Sequence, residues 1–233
     1  AAAEDGGGFW LDAPLVALAE LRKRLTLYKL RAKVVIEDLT PDFGVIAVWG
    51  GPAPDDIALA YADPRHPALG WRLIVHQSQT AAAIAELGAE SVEPLDYHAH
   101  RGAAGVAEAA FDFQPGDAFP HEINMDQLGG IDFGKGCYVG QEVVSRMQHR
   151  GTARTRLVPV VYDQGFAAVE GAPVVAGDKT LGITGTAAGE QGLAMLRLDR
   201  AAEAIAAGVP IMAGGLAARI VRPGWWTAAW PLP

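Results

Sequence analysis

Leu15, Leu18, Leu21 and Leu25 recur at spacings of three and four residues, which lines one face of a helix and predicts an amphipathic segment with Asp12 as its N-cap. Beyond it the apolar runs shorten. Lys33 to Leu39 and Phe43 to Trp49 predict two strands, the second broken by the turn chemistry of Gly50-Gly51-Pro52-Ala53-Pro54, and Trp71 to Val75 predicts a third. The alanine-rich stretch from Gln79 to Leu87 reads as a helix that stops at Gly88, a residue suited to the left-handed position after a helix end. Asp96 to Ala110 carries a further helical pattern interrupted by glycines, and another helix is expected from about Gly140.

After Thr152 the texture changes to short β-rich pieces divided by Gly, Pro and Asp. Arg156 to Tyr162, Pro173 to Val175, Thr180 to Thr186, Leu193 to Leu198 and Leu216 to Val221 are candidate strands, with a short helix near Ala201 to Ala207 and a hairpin turn at Gly177-Asp178. Strands at this spacing predict a small barrel or sandwich. The chain is therefore expected to be α+β, divided into 1–152 and 153–233, without internal repeats.

Half of the 233 residues are apolar and 20% are charged, so a sizeable core can be buried in one or two domains. No apolar run approaches the length that spans a bilayer, and no membrane association is expected. A single cysteine rules out an intrachain disulfide framework and fits a reducing compartment. The net charge of −8 speaks against a general polyanion binder. Arg22, Lys23, Arg24, Lys29, Arg31 and Lys33 form one basic cluster, and Arg146, Arg150, Arg154 and Arg156 a second. Neither is interleaved with aromatic residues, so both read as solvated faces and direct nucleic-acid binding is not expected. His98, His100 and His121 lack the spacing of a closed metal site, so no metal is expected there.

The densest chemistry lies in Lys135-Gly136-Cys137-Tyr138-Val139-Gly140-Gln141-Glu142, where the sole cysteine sits between glycines, beside a lysine, just before a helix start. A cation and a helix N-terminus both favour thiolate, so Cys137 is the candidate reactive or ligating thiol and Lys135 the residue that would lower its pKa. Gly136 and Gly140 would shape the loop and let its N–H groups approach an anion. Tyr138 is placed to pack as a lid or to stack on a flat heterocycle. Gln141 and Glu142 would fix the geometry, and Arg146 follows Glu142 at helical spacing. The plainer alternative is a buried, inert cysteine in a tight turn.

These eight residues match in full the lysine-glycine-cysteine-tyrosine-x-glycine-glutamine-glutamate signature of the YgfZ-type folate-binding proteins, relatives of the glycine-cleavage T protein, GcvT. The likeness extends through Phe119-Pro120-His121-Glu122-Ile123-Asn124-Met125-Asp126, Gly129 to Phe133, Val143 to Thr152, and an earlier block from Arg24 to Val34. The resemblance implies a GcvT-like folate-binding α+β region, expected to lack the leading segment that usually precedes it, followed by a small C-terminal β-barrel. It implies an accessory factor for assembly or repair of iron–sulfur clusters in client enzymes, including tRNA-modifying ones, rather than a classical enzyme. Tetrahydrofolate or another reduced folate would be the cofactor, and an iron–sulfur carrier or client the partner. Cys137 could supply at most one ligand of a shared cluster. The expected compartment is a bacterial cytoplasm, with the mitochondrial matrix as alternative.

Two other readings compete. An aminomethyl or one-carbon transferase using tetrahydrofolate would need the T protein's pterin-binding glutamate, but Arg101-Gly102-Ala103-Ala104-Gly105 aligns with that segment and has alanine where the carboxylate belongs. A thiol hydrolase would need His121 or His149 within hydrogen-bond reach of Cys137.

Overall fold

The computed structural model describes residues 7–54, 57, 59–151 and 153–233. The chain forms two compact units, one made of Ala1–Asp63 and Pro67–Ser91 and the other of Pro64–His66 and Val92–Pro233.

In the first unit, helix α1 covers Leu15–Tyr28 as its periodicity predicts, but none of its residues is fully buried. Leu18, Leu21 and Leu25 are half-buried, whereas Leu15 is exposed. Asp12 does not cap this helix: the residue before it is Pro14, and the Asp12 carboxylate pairs with the Arg72 guanidinium. A charge-assisted bond to a guanidinium outweighs one neutral capping bond. The expected strand over 33–39 is absent, and that stretch is irregular. There Lys29 Nζ donates to the Val34 carbonyl at 3.1 Å, and Asp38 accepts the Thr40 N–H at 3.1 Å. These local bonds occupy backbone groups that a ladder would need.

Strands β1 (Phe43–Val48), β2 (Leu59–Ala62) and β3 (Trp71–His76) form an antiparallel sheet in the order β1-β3-β2. Val45 lies opposite Ile74, and Ala60 opposite Leu73. The four-residue β2, too short for a pattern of its own, was not anticipated. Helix α2 (Thr80–Leu87) ends at Gly88 with φ 58°, as its composition predicts, and Ala83 joins Ile57, Leu73 and Val75 in the core.

The second unit begins its helical part with α3 (Pro94–Ala103), which has proline at its first position and the Glu93 N–H bonded to Asp96 at 3.0 Å. It stops seven residues before the expected Ala110, because Gly105 takes φ 72° and turns the chain. Residues 104–140 are a succession of turns, and α4 (Gln141–Arg150) follows.

A closed barrel completes this unit. Its strands are β4 (Thr155–Tyr162), β5 (Pro173–Ala176), β6 (Lys179–Ala188), β7 (Gln191–Arg197), β8 (Ile211–Ala213) and β9 (Leu216–Ile220), with α5 (Leu198–Ala206) before β8. The order β4-β7-β6-β5-β8-β9 closes through Val160 opposite Ile220. The Gly177-Asp178 turn joins Ala176 to Lys179 as expected. Five strands were anticipated; the sixth, β8, is only three residues long. Val158, Val160, Val174, Leu181, Leu196 and Ala213 fill the interior, joined by Trp226 from the tail. The adjacent Leu157 is also buried, because on its side β4 is covered by the turns before α4: its N–H donates to the Glu122 carbonyl at 2.7 Å. The barrel lies within the expected 153–233 segment, and its compact unit also takes in 92–151. The chain is α+β, and of the barrel or sandwich that its strand pattern allows it forms the barrel that the resemblance implies.

Candidate functional site

The Cys137 loop is built by short-range bonds that its own sequence supplies. Asp132 Oδ1 accepts the N–H groups of Gly134 at 2.8 Å and Lys135 at 3.2 Å, turning the chain two residues before the cysteine. After it, the Tyr138 N–H donates to Gln141 Oε1 at 2.9 Å and the Gln141 N–H returns to the Tyr138 carbonyl at 3.2 Å. Gly140 stands between them at φ 88°, a conformation in which a β-carbon is strained, and opens α4. Cys137 is exposed at the crest of this loop. It is not buried, contrary to the plainer alternative.

The neighbours take definite positions. Lys135 Nζ stands over the Tyr138 ring, 4.4 Å from its centroid, so the ammonium and the ring brace each other on opposite sides of Cys137 in sequence. Glu142 pairs with Arg146 at 2.6 Å along an exposed face of α4. The buried Val144 seats the helix, while Val139 is 84% exposed and Phe133 and Val143 are also open to solvent. Gly136 is exposed, with nothing near the position its β-carbon would take.

A buried polar scaffold ties the residues before the loop to β4, a role that sequence reading missed. Arg156 on β4 donates through Nη1 to Asp126 Oδ1 at 2.6 Å and to the His121 carbonyl at 2.5 Å, and through Nη2 to Asp126 Oδ2 at 3.0 Å. Its guanidinium also faces the Trp226 ring, 5.5 Å from the centroid. Arg156 thus leaves the expected basic surface cluster and becomes a buried anchor. Asn124, at φ 62°, donates from Nδ2 to the Leu157 carbonyl at 2.7 Å. Phe119 to Asp126 has no helical or strand period, and its sequence signal for this scaffold was the family-like block itself.

The histidines also find their places. His121 is 1% exposed, and its Nε2 lies 3.0 Å from Gln148 Oε1, so that nitrogen is engaged by α4. This does not offer the base that a thiol hydrolase needs. The His98 ring packs against Phe111 with centroids 4.0 Å apart, and burial first, then the nearby Arg101 charge, hold its pKa below the usual imidazole value.

Arg101, in the segment aligned with the T protein's pterin contact, is wholly buried. It donates to Asp112 at 2.6 Å, to the Val106 carbonyl at 2.5 Å and to Thr186 at 2.6 Å, with Glu108 at 3.4 Å from Nε. The Ala104 carbonyl is taken by Trp225 Nε1 at 2.7 Å, and a β-carbon on Gly105 would lie 3.2 Å from that same indole. Residues 101–105 are therefore filled from within the fold and present no carboxylate. They do not fit a pterin in the manner of the T protein.

The closed barrel defines the class of protein: residues 154–228 match the family model described as the CAF17, C-terminal beta-barrel domain. Over 97% of its length the chain is 32% identical to the mouse protein "Iron-sulfur cluster assembly factor IBA57, mitochondrial", of which it covers 66%. It is 39% identical to the IBA57 homolog of Mycosarcoma maydis across 68% of this chain and 40% of that protein, and 38% identical to the human protein across 66% and 45%. The chain belongs to the IBA57 iron–sulfur cluster assembly factor family. It spans between 40% and 66% of the length of these relatives, which carry the IBA57 name rather than that of the YgfZ-type proteins.

Proposed function

We propose that this chain is an accessory factor for iron–sulfur cluster assembly that acts through the Cys137 loop. The observation that carries the reading is a lone exposed thiol held at the crest of a pre-formed loop in a chain whose relatives are named for this process. A thiolate in that position provides one ligand to a cluster whose other ligands come from a carrier or client protein, and it is accessible to such a partner without rearrangement. The exposed Phe133, Val139 and Val143 beside it supply apolar contact area for docking.

The cluster is cargo. A reduced folate is the cofactor that the YgfZ-type and GcvT resemblance implies, and tRNA-modifying enzymes are the clients it implies; both belong to this proposal by resemblance alone. Because residues 101–105 do not fit the pterin contact, no step is assigned to folate. The relatives' names support the mitochondrial matrix over a bacterial cytoplasm as the compartment.

The deciding experiment is rescue of iron–sulfur enzyme activity in cells lacking their own IBA57-type protein, by the full-length parent of this chain or by its Cys137→Ser variant. Rescue by the parent alone is expected. Equal rescue by both would remove the thiol from the mechanism, and transfer of an aminomethyl group to or from a lipoylated carrier would favour the transferase reading instead.

A further inference from the structure

Residues 127–140 connect the buried scaffold at Asp126 to α4, and the exposed Cys137 lies shortly before that helix. The entry is fixed on β4 by Arg156, through the Asp126 carboxylate and the His121 carbonyl, and by Asn124 on the Leu157 carbonyl. The return is fixed by His121 itself, whose Nε2 meets Gln148 Oε1 in the last half of α4 at 3.0 Å. One residue therefore touches both ends: its backbone is gripped by Arg156, and its ring holds the helix that follows the loop.

We propose that His121 is a positioning residue, a clasp that sets the separation of the two ends of the Cys137 loop and so the presentation of the thiol. This rests on the reading of that loop as the functional element. With Gln148 Oε1 as acceptor, Nε2 is the ring nitrogen that donates to α4. Nδ1 is buried and has no hydrogen-bond partner. A buried ring nitrogen without a partner is unfavourable, and an apolar side chain of similar size would avoid it. What the imidazole contributes in return is the bond to α4 and a tilted contact with the Phe133 ring of the loop, 6.3 Å between centroids. His121 is thus assigned neither to a metal nor to proton transfer at sulfur.

The test is amide hydrogen exchange, resolved by residue, on the whole chain and its Gln148→Leu, Gln148→Glu and His121→Leu variants. Gln148 is exposed, so its substitutions leave the core intact even where His121→Leu impairs folding. The reporters are the Gly134, Lys135 and Tyr138 amides, whose bonds to Asp132 and Gln141 define the loop. Exchange at these amides is expected to rise roughly three- to tenfold in Gln148→Leu, the loss of one neutral hydrogen bond. Gln148→Glu, which keeps an acceptor, should exchange no faster than the parent, and the β5–β6 ladder should be unaffected in both. Unchanged loop exchange in Gln148→Leu, or an equal rise in the barrel ladder, overturns the clasp whatever the cellular rescue shows. Faster loop exchange together with full rescue by Cys137→Ser would keep the clasp and remove the thiol function.

Discussion

The Arg101 guanidinium is buried with Asp112 at 2.6 Å, and the same carboxylate also accepts the N–H groups of Glu108 at 2.9 Å and Thr186 at 2.8 Å. It thereby joins the end of α3 to β6. Removing one partner strands a buried charge, so Asp112→Ala is expected to lose about 3–5 kcal/mol in urea unfolding, whereas Arg101→Met with Asp112→Leu should recover a large part of it. An Asp112→Ala variant as stable as the parent would show that the pair is not sealed from water. His98 packs nearby, facing Arg101, Glu108, Asp112 and Arg65. Burial depresses its pKa, with Arg101 the next cause, so the unfolded chain binds a proton there before the folded one does. Stability is then undiminished above about pH 6.5, the unfolded value, and falls as pH drops below it toward the lowered folded pKa. His66 is shifted the same way by burial and adds to the slope. Unfolding at pH 7 and pH 5.5 should therefore differ, and His98→Asn should narrow the difference; an NMR titration of His98 at an ordinary imidazole pKa would remove the cause.

Among the elements, those with long runs of a single period were legible, and those that depend on a partner were not. α1, α2, β1, β3 and the long barrel strands follow their patterns, because a helix stripe or a strand alternation is written in consecutive residues. β2 and β8 have four and three residues, and exist because a neighbouring strand offers its ladder. The stretch 33–39 shows the reverse: β-prone residues with no strand against them. Two glycines test the elements that carry the site. A β-carbon on Gly182 in β6 would lie 1.8 Å from the Met195 carbonyl oxygen, so Gly182→Ala is expected to abolish cooperative barrel unfolding or lower its midpoint by many degrees in a thermal melt. Gly140→Ala meets no neighbour but must hold φ 88°, so it should cost about 1–2 kcal/mol and loosen the start of α4. A melt indistinguishable from the parent's would show that the loop relaxes around the new side chain.

At the scale of the molecule, the unit containing the barrel has its own core and both buried ion-pair scaffolds, Arg101–Asp112 and Arg156–Asp126. Residues 92–233 are expected to fold when expressed alone, with a near-ultraviolet dichroism signal from Trp225, Trp226 and Trp230 and a single unfolding transition. A molten spectrum would mean that the other unit, or the missing Arg65 contacts to Glu108 and Tyr97, is needed.

The sequence by itself determined the long strands of the C-terminal segment, most of the helices and the chemical identity of the Cys137 loop, because periodicity, turn glycines and a compact motif are local properties of consecutive residues. Closure into a barrel rather than a sandwich was left to the tertiary structure. The tertiary structure alone decided that Arg156 is an interior anchor rather than a surface cation, that Arg101 is spent on Asp112 and Thr186, and that His121 links both ends of the loop. Whether a charged or polar side chain is solvated or buried depends on which distant segment covers it. Asp126 lies 30 positions before Arg156 and Thr186 lies 85 after Arg101, separations across which no local pattern carries information.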